Sequence, residues 1–203
     1  MDRPVGLDGK IQLMTTTASH RPPPRERLLD AADSLFYEEG ICSVGVDRLI
    51  KRADVARASL YGTYGSKDEL VRAYLQRRSD DWQALAAEVL PTRWPTARER
   101  ILGIFSLLTE WFATPGYRGC PFINASAEDA ATEAVEEVRD RHRTWVRALF
   151  ASLAADAGAP DPDALAAQLV VLYDGSMVGA QLDRGPAPGE AARTAAAALL
   201  GAT

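Results

Sequence analysis

The chain has 203 residues, 47% hydrophobic and 25% charged, the balance of an ordinary globular protein with room for one good core or a small domain joined to a larger one. No run of about 18 apolar residues is present and the opening MDRPVGLDGKIQLM lacks the apolar stretch of a signal peptide, so neither a spanning helix nor export is expected and the cytoplasm is. The net charge of −5 argues by itself against a nucleic-acid partner, but residues 20–78 carry 11 Lys and Arg against 9 Asp and Glu, whereas residues 79–203 carry 10 against 17, leaving the first part free to meet phosphate.

Residues 1–20 are polar, aperiodic and rich in Thr and Gly, and read as a disordered extension. From there on the apolar residues recur at the helical period, with no convincing strand alternation, so the chain is expected to be all-α with about nine helices. The first opens on RPPP, suited to a first turn, and stops at Gly40, with Leu28, Ala32, Leu35 and Phe36 on its stripe. A short helix follows with Val46, Leu49, Ile50 and Ala53 on one face, then another over about Arg57–Thr63. A longer one starts near Ser66, an N-cap with Glu69 three residues on, and is expected to end near Leu90, ahead of Pro91.

The second half begins after PTRWPT with a helix carrying Ile101, Ile104, Phe105, Leu108 and Phe112, broken by TPGYRG. A short helix over about Cys120–Glu128 precedes a long one whose stripe is Val135, Val138, His142, Trp145 and Leu149. After the loop DAGAPDP, the segment DALAAQLVVLYDGSMVGAQL is apolar nearly all round, which demands burial on two faces. RGPAPG then separates an Ala-rich helix over about 189–201.

The informative stretch is VDRLIKRADVARASLYGTYGSKDELVRAYL: two short helices joined by a turn at Asp54–Ala56, where Asp tolerates left-handed backbone better than most. This is the pattern of a helix-turn-helix, whose second helix lies in the major groove. That helix presents Arg57, Ala58, Ser59, Tyr61, Gly62 and Thr63 outward and Leu60 inward, with Val55 and Tyr64 closing a small core. Arg57 and Ser59 suit base edges or phosphate, Tyr61 and Thr63 can donate to phosphate oxygens, and Lys67 opens the next helix, where free N–H groups favour an anion.

The run LLDAADSLFYEEG, then DRLIKRADVARASLY, then GSKDELVRAYL resembles the TetR family of transcription regulators over about residues 25–75. Further on, YRGCPFINASAE is similar to a segment found in a subset of that family. The resemblance implies a helix-turn-helix DNA-binding domain over 21–66 and a ligand-binding and dimerisation domain over 67–203. It implies a homodimer reading a palindromic operator in double-stranded DNA, and a small-molecule effector that releases it. Carried over by position, Arg57, Ser59, Tyr61, Thr63 and Lys67 are the DNA contacts. Three positions depart from the pattern. Gly45 stands where Ser or Thr commonly caps the first helix of the motif, with Ser43 a substitute nearby. Ala56 replaces a frequent Ser, and Asp54 a common Gly.

On the penultimate helix Leu165, Leu169, Leu172 and Ser176 are expected to face the subunit core, while Val170, Val171, Met177 and Val178 lie elsewhere around it, a distribution a C2 four-helix interface with the last helix would cover. An effector pocket should be apolar with few polar anchors. Its candidates are Trp111, Phe112, Tyr117, Cys120, Phe122, Asn124, His142, Trp145 and Tyr173, each of which also makes sense as plain core. Cys120 opens a helix two residues from Arg118, a setting that lowers a thiol pKa, against which stands its reading as a small buried hydrophobe. Asp174, alone in an apolar helix, is expected either to pair across the interface or to aim into the pocket.

No G-x-S-x-G, H-E-x-x-H, phosphate loop or cofactor fingerprint is present, and two cysteines and two histidines far apart offer no disulfide framework, metal centre or cofactor anchor. The expectation is therefore a regulator and not an enzyme. The alternative is a helical small-molecule carrier that does not bind DNA.

Overall fold

The computed structural model describes residues 21–128 and 132–201, and the described residues form nine helices and no strand. The extension over 1–20 lies outside them. The helices are α1 (Pro24–Glu39), α2 (Val46–Ala53), α3 (Arg57–Tyr64), α4 (Lys67–Arg93), α5 (Ala97–Phe112), α6 (Pro121–Ala127), α7 (Glu133–Asp156), α8 (Pro162–Asp183) and α9 (Ala187–Gly201).

The ends follow local chemistry. Pro24 takes the first position of α1, where its missing N–H costs nothing, and Gly40 ends the helix at φ 90°. Ser66 accepts from the Glu69 N–H at 3.1 Å to start α4. Thr96 and Glu99 form a reciprocal capping box at the start of α5. Pro91 does not end α4. It sits in the last turn, the helix runs on to Arg93, and the Trp94 N–H closes it on the Leu90 carbonyl at 3.0 Å. Pro91 gives up only the bond to the Ala87 carbonyl, and so close to the end there is little helix beyond it to disturb.

α1, α2 and α3 pack around Leu28, Leu35, Leu49 and Leu60, and α4 runs from this group into the second half. Arg77 on α4 pairs with Asp30 on α1, and Arg78 with Asp33, both at 2.7 Å. In the second half α8 packs against α7 and α9, and α5 closes against α9. Two close approaches depend on glycine: a Cβ at Gly103 would overlap the Trp94 ring, and one at Gly189 would overlap Thr109.

The stripe of α7 includes Val146 and Phe150, both buried, while Trp145 and Leu149 flank it half-buried. On α8 the division differs from the expected one. Leu165, Leu169 and Ser176 are buried, and so are Val170 and Met177, while Leu172 is half-buried. A helix that packs on α7 along one side and α9 along another buries a wide arc. The large apolar residues of α8 left in the open are Val171, Val178 and Leu182, at 69%, 40% and 75% exposure. By length and composition α8 could cross a membrane, contrary to expectation, but here it is the central packing helix.

Candidate nucleic-acid interface and sensing core

The turn between α2 and α3 is built around Asp54, whose backbone is left-handed at φ 51°, ψ 57°. Its N–H reaches the Lys51 carbonyl at 3.3 Å, and the Val55 N–H reaches Ile50 at 3.1 Å. The carbonyls left over at the end of α2 are taken by Arg27 on α1, which donates to Ala53 at 2.8 Å and to Asp54 at 2.6 Å. Tyr64 at the far end of α3 donates to the Arg25 carbonyl at 2.9 Å. The reading helix is thus fixed at both ends by α1.

Neither Gly45 nor Ala56 supplies a side-chain cap. Ser43 does not substitute for the former, because its hydroxyl donates back to Glu39 and Gly40.

Along α3, Arg57, Ala58, Tyr61 and Gly62 are exposed, Ser59 and Thr63 are half-buried, and Leu60 is fully buried. Around Gly62 there is open space. Arg57 pairs with Asp47 at the start of α2, an acid that holds the guanidinium pKa above its ordinary value, with Tyr61 adding to the effect. Lys67 lies half-buried and its ammonium donates to the Ile41 carbonyl at 2.6 Å, leaving two further N–H donors. Arg57 and Tyr61, one turn apart, therefore share the outward strip of α3 with Ala58 and Gly62, whereas Ser59 and Thr63, expected to point outward with them, lie half-buried on a different side of the helix, and Lys67 is tied to the turn after α1.

Six of the nine residues named in the second half fall into two ring groups. Trp111, Phe112 and Tyr117 sit edge to face or tilted at 5.0–6.0 Å, and Tyr117 donates to the Met177 carbonyl at 3.0 Å. Phe122 stacks on His142 at 4.0 Å, with Trp145 6.0 Å beyond. Tyr173 is buried against Phe150. Asn124 donates to the Arg118 carbonyl at 2.8 Å and lines a void of only about 10 Å³ with Tyr37, Tyr74 and Glu128, room for a single water. A larger hollow of about 440 Å³ is a groove between α7 and α8, lined by Arg143, Arg147, Ala151, Asp163 and Val170 and by none of the nine.

Cys120 caps the start of α6, yet it is buried and its pKa is pushed up to about 11. Hydrogen bonds from the Ile123 and Phe122 N–H groups pull the other way, but the loss of solvation wins. The activated thiolate is thus not supported, and the small buried hydrophobe is. Asp174 finds its partner within the chain, Arg143 on α7 at 2.7 Å, so its charge is paired without a second subunit. His142 is held neutral by burial, its pKa lowered to about 4. Its Nδ1 lies 3.0 Å from the Ser79 hydroxyl, which also accepts from the Gln83 amide at 3.0 Å.

Several contributors were not singled out in the sequence. Arg27 and Asp47 act on the reading helix across 26 and ten positions of chain, and nothing local marks such partners. Glu128 was legible as the end of the short helix and of YRGCPFINASAE, but not as a partner of the turn after α1. Its carboxylate accepts from the N–H groups of Ile41 at 3.0 Å and Cys42 at 2.6 Å.

Comparison with known proteins agrees with this architecture. Residues 28–74 match the family model described as bacterial regulatory proteins, tetR family. The curated relatives include the HTH-type transcriptional repressor NemR of Escherichia coli K12, 28% identical over 130 residues, a match that spans 64% of either chain. Among solved structures, a TetR-family transcriptional regulator from Streptomyces coelicolor is 33% identical, with 87% of this chain and 94% of that one covered and a TM-score of 0.79. Reduced E. coli NemR is 26% identical over 84% of this chain and 94% of its own, with a TM-score of 0.74. The chain belongs to the TetR family of transcriptional regulators.

Proposed function

We propose that the protein is a dimeric repressor that reads a palindromic operator through α3 and leaves it when a small effector binds the second half. The observation that carries this is the outward strip of Arg57, Ala58, Tyr61 and Gly62, flanked by the half-buried Ser59 and Thr63, on a helix whose ends are both fixed by α1. A helix held in this way can enter a major groove without first being ordered, so little binding energy is lost to entropy. Arg57 is the candidate for a guanine edge, and Tyr61 and Thr63 for phosphate. Gly62, open to solvent and without a Cβ, lets the backbone come close to the duplex.

Dimerisation through α8 and α9 is supported by Val171, Val178 and Leu182, which lie at helical spacing on one exposed face of α8. The effector site is proposed around the aromatic groups of α5, α6 and α7. These side chains fill the core in the free protein, so entry of a ligand there must repack them, and that repacking supplies the differential energy needed to move the reading heads.

A salt titration tests the reading. A dimer that neutralises about 6–10 phosphates should lose roughly 10³–10⁵-fold in affinity for its operator between 50 and 200 mM salt. Folded protein with no salt-dependent affinity for any duplex belongs instead to a carrier.

A further inference from the structure

The segment that runs from Tyr117 to Glu128 is hydrogen-bonded to both halves of the molecule. At one end Tyr117 donates to the Met177 carbonyl on α8 at 3.0 Å. Gly119, at φ 89°, lies so close to the Gln181 side chain on the same helix that a Cβ would have no room. Between these two, the Tyr37 hydroxyl on α1 accepts from the Arg118 N–H at 3.0 Å and donates to the Gly119 carbonyl at 3.2 Å. Asn124 donates back to the Arg118 carbonyl and closes the loop on itself. At the other end Glu128 holds the Ile41 and Cys42 N–H groups, in the turn that leads from α1 into the helix-turn-helix. Lys67 takes the Ile41 carbonyl from the opposite side, so the peptide groups of that turn are bonded from both α4 and the 117–128 segment. Gly40, at φ 90°, admits the carboxylate, because a Cβ there would sit 3.1 Å from Glu128 Oε1.

We infer that the 117–128 segment is the link that ties the setting of α8 to that of the reading head, with Tyr37 and Glu128 as the positioning residues through which it acts. The inference rests on the regulator reading above. Gln181 and Met177 belong to the helix that carries the exposed Val178 and Leu182, so a change in how two copies meet along α8 bears on Gly119 and Tyr117 directly. From there two hydrogen-bonded attachments, one to α1 and one to the following turn, carry it to the helices that hold α3. Neither attachment is a surface ion pair that salt would loosen. Both are bonds to backbone groups, which fix position as well as distance.

Coupling of this kind is reciprocal, so DNA must act on the segment as the segment acts on DNA. The test is hydrogen–deuterium exchange on the full-length protein, free and bound to a duplex recovered from a randomised library. In the wild type, duplex should slow exchange in α3 and also in 117–128, which touches no DNA. In the double variant Tyr37→Phe, Glu128→Ala, α3 should still be protected and the response of 117–128 should be lost. Tyr37→Phe alone keeps the ring under Arg78 and should show a partial loss even if the double variant folds poorly. An unchanged 117–128 in the wild type, or an undiminished response in the variants, overturns the link while leaving the regulator reading in place. Protein that selects no duplex overturns the regulator reading first, and the link with it.

Discussion

Arg27 on α1 donates to the carbonyl of Asp54 at 2.6 Å, and so a side chain from outside the helix-turn-helix completes the left-handed turn inside it. The family pattern prefers Gly at this turn, and this chain has Asp with a guanidinium over its carbonyl. Replacing Arg27 by Met takes the charged donor from the Ala53 carbonyl and leaves the Asp54 carbonyl to Arg21 alone, and should lower unfolding free energy by about 1.5–3 kcal/mol, the value of a charge-assisted bond. Asp54→Gly relieves the left-handed backbone and should raise stability by about 1 kcal/mol. Chemical denaturation of both variants checks the pair, and a stable Arg27→Met protein would contradict it.

The reading strip makes a second, separate prediction. Arg57→Ala removes the candidate base contact and should weaken operator binding by about 1–3 kcal/mol with no change in melting temperature. Gly62→Ala meets nothing in the free protein, so it should stabilise α3 by about 0.5–1 kcal/mol while weakening DNA binding through the added Cβ. Fluorescence anisotropy against a selected duplex, paired with thermal melts, separates the two effects. Gly62→Ala with unaltered affinity would mean that the backbone stays clear of the duplex.

The two thiols should behave oppositely. Cys42 is exposed, while Cys120 is buried with a pKa of about 11. Near pH 7.5 a disulfide reagent should titrate one thiol quickly and the second only after unfolding. Cys42→Ser should abolish the fast reaction and Cys120→Ser should leave it intact. Fast labelling of Cys120 in the folded protein would show that the 117–128 region opens far more readily than its packing allows.

His142 gives a pH dependence. Its folded pKa of about 4 lies below the ordinary 6.5, so between those values the unfolded chain binds a proton that the folded chain refuses. Stability from this group is therefore complete above pH 6.5 and is lost as pH falls toward 4, by about 3 kcal/mol in all. His142→Gln should flatten that part of the profile. Urea melts of both proteins at pH 5 and pH 7.5 make the comparison, and parallel losses would assign the effect to other groups.

Much of the fold was legible because helix formation here is written locally. The apolar stripe of α1, the Ser66 and Glu69 pairing, and the unusual Asp54 turn each declare themselves within a few residues. Pro91 misled because proline stops a helix by position, and a last-turn proline stops nothing. The facing of α8 was only partly readable, since an all-round apolar helix carries no period to say which residues its own neighbours cover. Val170 and Met177 went inward for that reason. The outward strip of α3 was visible in sequence, but Arg27, Tyr37 and Glu128 act through backbone groups far away in the chain, where neither spacing nor residue type gives them away. Cys120 shows a contest of magnitudes: the helix terminus was evident, whereas the burial that outweighs it exists only in three dimensions.

The central claim is that α3 reads DNA as one half of a symmetric pair. Its most direct test is selection of bound duplexes from a randomised library by the full-length protein at moderate salt, followed by sequencing. The account predicts an inverted repeat whose half-sites lie about one helical turn, or a multiple of it, apart, and loss of that enrichment in Arg57→Ala. Folded protein that enriches no sequence, or only a single unrepeated site, would contradict it.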